Sequence, residues 1–368
     1  MIAPLPPFRG GIAKYCYAFA RELEQRHDLL LLSYRRQYPA LLYGKRSQID
    51  PTWDSNRIRT EFRQLSYDID SVSVLSWRET ALRVGAFGPD LVILPWWVTY
   101  WTPLYAYLLA VFRKQKIRVL FLCINIYEHE DSALKKLLTR FTLKRVNSMI
   151  VHSEAEKLTA QRINPRAVVI NHPLPLFEYE LPAAERPDPA AFRLLFFGFV
   201  RPYKGLDTLL KALHLLRDRD DVRLTVAGEF WSGKEEYIDL IRTLDIEDRV
   251  EIIDRYLSED EIGLCFARAD LIVLPYRASH TSGVIATAYG FGKPVLVTDV
   301  GGFREVVRDK VTGRLVPADD PDALADGIRW FLENRQFDFA ADITAFTSRS
   351  MSWRSLADAV ESLLEMPS

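Results

Sequence analysis

Arg201 and Lys204 stand close together in the stretch FFGFVRPYKGLDTLLKAL, residues 196–213. Gly198 and Gly205 bracket them and permit a tight turn. Beyond the turn, Leu206, Leu209, Leu210, Leu213 and Leu216 recur at helical spacing, with Asp207 placed to cap the helix. The stretch therefore reads as strand, turn and helix, with two positive side chains beside the free amides of a helix start. Such a mouth suits a diphosphate, although solvated charges on an ordinary loop give the same spacing. A second turn lies in PYRASHTSGVIATAYGFGKPVLVTDVGGFREVV, residues 275–307. There Ser282 and Gly283 precede an apolar helical run whose first amides could hold phosphate. A single Ser-Gly pair is a weak signal; two anion-binding turns in one half of a chain, one of them cationic, are stronger.

The elements that must position these turns follow from hydrophobic patterning. Apolar, branched runs start at Leu29–Ser33 and continue at Leu91–Leu94, Val119–Cys123, Met149–Val151 and Val168–Ile170, separated by amphipathic stretches. A polar, Pro-rich, acidic stretch at 173–189 interrupts them. The pattern restarts at Leu194–Phe197, Leu224–Val226, Val250–Ile253, Leu271–Leu274 and Val295–Val297. Continuous apolar strands mean sheets covered on both faces. The expected fold class is α/β, with two doubly wound Rossmann-like domains facing a central cleft. The expected domains are residues 1–172, joined by a returning amphipathic helix within 350–368 anchored by Trp353, and residues 173–349. Only Ile2 and Ala3 precede the Pro-rich loop after the first strand, so that strand is expected to be truncated.

Bulk properties narrow the function classes. A chain of 368 residues suits two domains, and 48% hydrophobic with 26% charged residues is a globular composition. Cys16, Cys123 and Cys265 give neither a disulfide framework nor metal-ligand spacing, which points to a reducing, cytoplasmic location. Residues 1–8 lack the charged region of a signal peptide, and the apolar run at 100–112 is shorter than the ~20 residues a spanning helix needs. Charge divides unevenly: residues 1–172 carry 25 Lys+Arg against 15 Asp+Glu, the remainder 23 against 34. A basic first lobe fits an anionic lipid surface or acceptor, and an accidental division of solubilising charge gives the same count. No GxGxxG follows a strand, which argues against a dinucleotide-dependent enzyme. Nucleic acid is not an expected partner, because no recognised motif accompanies the basic lobe and the net charge is −1.

Together, residues 196–213 and 275–307 resemble the C-terminal domain of family 4 glycosyltransferases, retaining enzymes of GT-B fold, and the resemblance runs through nearly the whole chain. The family pattern GRLxxxKGxxxLLxA supplies phosphate-binding Arg and Lys. Here Lys204 and Gly205 are kept, Phe199 stands where the Arg is usual, and Arg201 follows two residues later. Aligning GFGKPV on the family's GxPV puts Ser279 and Thr287 where two Glu normally stand, leaving Thr287 a weaker hydroxyl contact to a ribose. A subgroup reading SGVxxxAYxFGxPV resembles this segment. Glu305 matches a carboxylate of the family's GG-x-x-E stretch, and a dipole-favoured Glu at a helix start is the plainer account. Gly10 and Gly11, in PLPPFRGGIAKY, resemble the family's GG loop that faces the donor. CINIYEHED, residues 123–131, resembles an HNxxPHE pattern with Ile124 and Glu128 departing, and makes His129 a candidate contact for the transferring sugar or acceptor.

The resemblance implies transfer of a sugar from a nucleoside diphosphate sugar, with retention, to a glycan or lipid-linked acceptor, as in polysaccharide biosynthesis. Arg201, Lys204 and the amides of Ser282 and Gly283 would stabilise charge growing on the leaving diphosphate, with neither metal nor cofactor required. No carboxylate pair is assignable as nucleophile and acid, which favours a front-face route over double displacement. Loss of both Glu residues leaves a non-catalytic nucleotide-sugar-binding or scaffold protein as the rival. Two further features bear on partners. Trp96, Trp97, Tyr100 and Trp101, near the basic group at 113–118, suit a membrane interface. LKKLLTRFTLKRV, from residue 134, places Leu134, Leu137, Leu138 and Phe141 on one helical face flanked by Lys135, Lys136, Arg140, Lys144 and Arg145, as in a peripheral membrane helix or a core-facing helix with a basic solvated side. In VHSEAEKL, Ser153 and Glu156 have capping-box spacing.

Overall fold

The computed structural model describes residues 1–39, 47–50, 52–127, 132–177, 188 and 190–365. The chain divides into two compact units, Met1–Pro173 with Trp353–Ser368, and Leu174–Ser352. In the first unit the order is α1 (Gly11–Glu24), β1 (Leu30–Arg36), α2 (Ser55–Glu61), β2 (Gln64–Asp70), α3 (Val74–Phe87), β3 (Leu91–Trp96), α4 (Thr102–Lys114), β4 (Arg118–Cys123), α5 (Ala133–Leu143), β5 (Ser148–Val151), α6 (Glu154–Ile163) and β6 (Val168–Asn171). The second unit runs β7 (Phe192–Phe197), α7 (Leu206–Leu215), β8 (Val222–Ala227), α8 (Lys234–Thr243), β9 (Val250–Ile253), α9 (Glu259–Arg268), β10 (Leu271–Leu274), α10 (Gly283–Gly290), β11 (Val295–Thr298), α11 (Phe303–Val306), β12 (Gly313–Val316), α12 (Pro321–Glu333) and α13 (Phe339–Thr347). The last helix, α14 (Trp353–Glu365), belongs to the first unit.

All strand pairs are parallel. In the first unit β1 pairs with β2, and β3 to β6 run in sequence order. Met1–Ala3 forms a strand stub between these groups: the Ile2 N–H donates to the Ile93 carbonyl at 3.0 Å, and the Ala3 N–H to the Leu32 carbonyl at 3.0 Å. Strands such as β4, buried from Val119 through Cys123, are apolar along their length because helices cover both sheet faces. The second sheet has the order β12-β11-β10-β7-β8-β9, with Leu271–Leu274 and Val295–Thr298 buried throughout.

Two expectations about exposure change places. The Trp cluster is interior: Trp96, Trp97 and Trp101 are buried, and Trp101 packs among Tyr34, Tyr38, Trp97 and Tyr105. The indole N–H groups of Trp96 and Trp97 donate to the Ile126 carbonyl and the Tyr38 hydroxyl at 3.2 Å each, so burial leaves neither unsatisfied. Conversely α5 buries Thr139, Thr142 and Leu143 and turns Leu134, Leu137 and Phe141 outward. The helix α14 lays Leu356, Ala357, Val360 and Leu363 inward, and Trp353 meets the Tyr15 ring of α1 edge-on at 5.3 Å.

Candidate functional site

The second sheet reverses direction at its first strand. From β7 the chain lays β8 and β9 to one side, then returns to place β10, β11 and β12 on the other. Loops leaving the carboxyl ends of β7 and β10 therefore diverge and open a crevice, the place where open α/β sheets bind ligands. Both stretches expected from the sequence to bind an anion are those loops. After β7, Val200 pairs with the neighbouring loop, its N–H donating to the Glu229 carbonyl at 2.9 Å while the Trp231 N–H donates back at 3.1 Å. That places the Trp231 ring under Arg201, whose guanidinium carbon lies 4.2 Å from the ring centroid.

Lys204 ends a short 3-10 turn, Pro202–Lys204, and is buried. Its ammonium lies 5.5 Å from the Tyr276 ring centroid and directly over Gly198, where an added Cβ would come within 3.0 Å of Nζ. Among the described residues it has no ion pair or side-chain hydrogen bond. Burial first, and the positive charge of Arg201 second, bring its pKa down to about 7. Among the described residues no carboxylate pairs with this buried amine, and a second cation stands beside it, an arrangement that suits an anionic ligand.

The turn is held by a residue outside the two motifs' charged pair. Arg277, just after β10, donates to Asp207 at 2.7 Å, to Asp319 at 2.6 Å and to the Pro202 carbonyl at 2.6 Å. Its own N–H donates to the Tyr203 carbonyl at 2.7 Å. Asp207, expected as the cap of α7, is committed to this arginine, and the N-cap position is Gly205. Gly205 has φ +67°, and a Cβ there would fall 2.0 Å from the Pro275 carbonyl oxygen, so only glycine lets the two loops approach this closely. Tyr276, also buried, lies by both turns: its ring faces Lys204, and burial raises the pKa of its hydroxyl while the nearby Ser282 side chain works the other way.

Ser282 is the N-cap of α10, its Oγ accepting from the Val284 N–H at 3.2 Å, and Gly283 is the first helical residue. Thr287 is buried and its hydroxyl donates to the Gly283 carbonyl at 2.9 Å, while the Ser279 hydroxyl donates to the Thr281 carbonyl at 2.9 Å. Both hydroxyl hydrogens thus serve the loop and its helix. Glu305 is exposed on the one-turn helix α11. The preceding Gly301 (φ +52°) packs so tightly that a Cβ would sit 1.8 Å from the Ser279 carbonyl oxygen, which draws α11 against the 279–282 loop.

In the first unit Gly10 is the N-cap of α1 with φ +105°, and an added Cβ at Gly10 or Gly11 would meet nothing within 4 Å. The backbone is open there, after the stub and beside its switch to β3. His129 lies outside the described residues. His152, at the end of β5, is buried, with Nδ1 donating to the His172 carbonyl at 2.7 Å and Nε2 facing the Tyr15 hydroxyl at 3.4 Å. Burial lowers its pKa to about 4, so it is a neutral structural histidine. Ser153 caps α6 by accepting from the Glu156 N–H, but the Glu156 carboxylate accepts from Ile126 at 2.8 Å instead of closing a capping box. A reciprocal box is formed by Ser258 and Glu261.

Residues 191–334 match the family model "Glycosyl transferases group 1". That match lies within the second unit. It contains Arg201, Lys204, Arg277, Ser282, Gly283, Thr287 and Glu305. Among curated relatives, the D-inositol 3-phosphate glycosyltransferase of Corynebacterium diphtheriae is 25% identical over 254 residues, 64% of this chain and 59% of the relative. The same-named protein of Pseudarthrobacter chlorophenolicus is 35% identical over 133 residues, 35% of this chain and 31% of the relative. The alignments thus span about a third to three fifths of those relatives' length. Among solved structures, Anabaena HepE in complex with UDP superposes with a TM-score of 0.74, at 17% identity, over 99% of this chain and 98% of that one. Sucrose-phosphate synthase from Thermosynechococcus elongatus gives 0.70 at 17% identity, over 96% and 92%. The fold is that of the GT-B glycosyltransferases, with two Rossmann-like domains.

Proposed function

We propose that the protein transfers a sugar from a nucleoside diphosphate sugar to a glycan or lipid-linked acceptor, with retention at the anomeric carbon. The observation that carries this reading is Lys204: a buried ammonium next to Arg201 that has no ion pair among the described residues, lying by Tyr276 and the Ser282 turn at the β7/β10 switch point. The pair fits the oxygens of a diphosphate, and charge growing there as the glycosidic bond breaks is stabilised more than the charge of the intact donor. The Gly283 and Val284 end of α10 adds its partial positive charge. Gly10 and Gly11 leave room for the donor's close approach in the first unit, Glu305 stands by for its ribose or base, and His129 is assigned to the sugar or acceptor. The chain supplies the positive charge itself, without a metal or cofactor, and the reaction is placed on the cytoplasmic side of a membrane that presents the acceptor. The group 1 match, the glycosyltransferase names of the relatives and the UDP held by HepE support the donor class.

One observation favours binding without turnover. Thr287 and Ser279 stand where carboxylates are usual, and their hydroxyl hydrogens are committed to backbone carbonyls. Release of nucleoside diphosphate from UDP-, GDP- and ADP-sugars, with a membrane extract as acceptor, separates the two. Turnover with one donor, abolished in Arg201→Gln, supports the transferase; donor binding with no release in any extract sinks it in favour of the binding protein.

A further inference from the structure

Helix α5 presents an unusual surface. Leu134 and Leu137 are each 64% exposed and Phe141 is 41% exposed, forming an i, i+3, i+7 stripe that points away from the buried Thr139, Thr142 and Leu143. A helix normally buries such a stripe and wets the other face. Beside it, Lys136, Arg140 and Lys144 recur every four residues, all exposed. Arg140 and Lys144 also line a cavity of about 470 Å³ between α5 and α6, together with Arg162, Thr159, Ile163 and Tyr127. Among the described residues, none of Arg140, Lys144 and Arg162 is in an ion pair. Three cations and two hydroxyl groups around one recess, next to exposed leucines and a phenylalanine, provide an anion seat and an apolar edge on the same element.

We propose that α5 is a membrane-docking helix, which lays Leu134, Leu137 and Phe141 into the headgroup boundary of an anionic bilayer and seats a lipid phosphate among Arg140, Lys144 and Arg162. The occupant is a bilayer because a soluble phosphate has no use for the exposed apolar stripe, and a neutral apolar partner has none for the three cations. This surface gives the lipid-linked acceptor of the transferase reading a place to be presented, but lipid binding is a separate property and is read without turnover.

The full chain is sedimented with vesicles of phosphatidylcholine alone, or of phosphatidylcholine and phosphatidylglycerol in equal parts, at low and physiological salt. Binding is expected only to the anionic vesicles, weakened by salt. Each of Arg140→Gln, Lys144→Gln and Arg162→Gln is expected to lower the partition coefficient about 5-fold. The triple change Leu134→Ser, Leu137→Ser, Phe141→Ser is expected to lower it at least ~10-fold. All six residues are exposed, so melting temperature should hold and the variants report on the surface. Equal binding to both vesicle types, no binding at low salt, or anionic binding indifferent to all these changes each overturns the proposal. So does displacement of the vesicles by millimolar inorganic phosphate, which would mark the recess as a seat for free phosphate.

Discussion

Lys204→Met keeps the length and burial of the side chain while deleting its charge, and the structure dictates an opposed pair of effects. In the free protein the ammonium has a pKa of about 7, against roughly 10.4 for an unfolded lysine. That depression of roughly 3.5 pK units corresponds to ~5 kcal/mol by which folding disfavours the charged form. The unfolded chain binds the proton more tightly between these values, so stability rises with pH from about 7 toward ~10 and is lowest below 7. Methionine carries no such cost, and at pH 7 the variant's second unit should melt several degrees higher. A diphosphate supplies the missing counter-charge and draws the pKa back up, so binding above pH 7 takes up a proton. Affinity should therefore fall as pH rises past 7, approaching tenfold per unit. Charge-assisted hydrogen bonds of ~1.5–3 kcal/mol put the loss in the variant at roughly 10- to 150-fold, along with the pH slope. Calorimetric titration of UDP and GDP across that range, in buffers of different ionisation enthalpy, counts the proton directly. Wild-type affinity independent of pH with no proton uptake, or undiminished binding by the variant, refutes the reasoning.

Two further outcomes are expected. Gly205→Ala forces a Cβ against the Pro275 carbonyl at φ +67°, and should cost more than ~2 kcal/mol and abolish diphosphate binding by spreading the loops that carry Lys204 and Tyr276, as a melting curve with and without UDP will show. Because burial holds His152 at a pKa of about 4 against ~6.5 unfolded, its contribution to the first unit is full above pH 6.5 and is lost as pH falls through 4, by up to ~3 kcal/mol; in His152→Gln the acid limb of denaturant-measured stability should be correspondingly flatter.

The alternation of apolar runs was sufficient to read two parallel, doubly wound sheets, because strands buried on both faces are written as uninterrupted Val, Leu and Ile. β2 and β12 escaped that reading. Gln64–Asp70 is half-wet for most of its length, and Gly313–Val316 begins on a glycine, so neither shows a continuous run. At the site, strand-turn-helix grammar marks Arg201, Lys204 and Ser282, whose neighbours in the chain define their surroundings. Arg277 was invisible for the opposite reason: its partners Asp207 and Asp319 lie 70 and 42 residues away, and alone it looks like any loop arginine. The aromatic cluster misled because composition cannot tell a membrane belt from a core, and Trp96, Trp97 and Trp101 have polar partners or ring neighbours inside. For α5, periodicity gave the stripe and only the packing of Thr139, Thr142 and Leu143 shows which face is turned outward.

The assignment of α14 to the first unit makes the second an insertion within it, and this orders events during synthesis. Leu174–Ser352 emerges from the ribosome as one uninterrupted stretch and can complete its sheet at once. The first unit must wait while all of that is translated, on the order of 10–40 s at ordinary elongation rates, before Trp353, Leu356, Val360 and Leu363 arrive to cover α1. Until then it holds an uncovered apolar face, and a nascent-chain chaperone has its longest opportunity there, on the half of the protein that was made first.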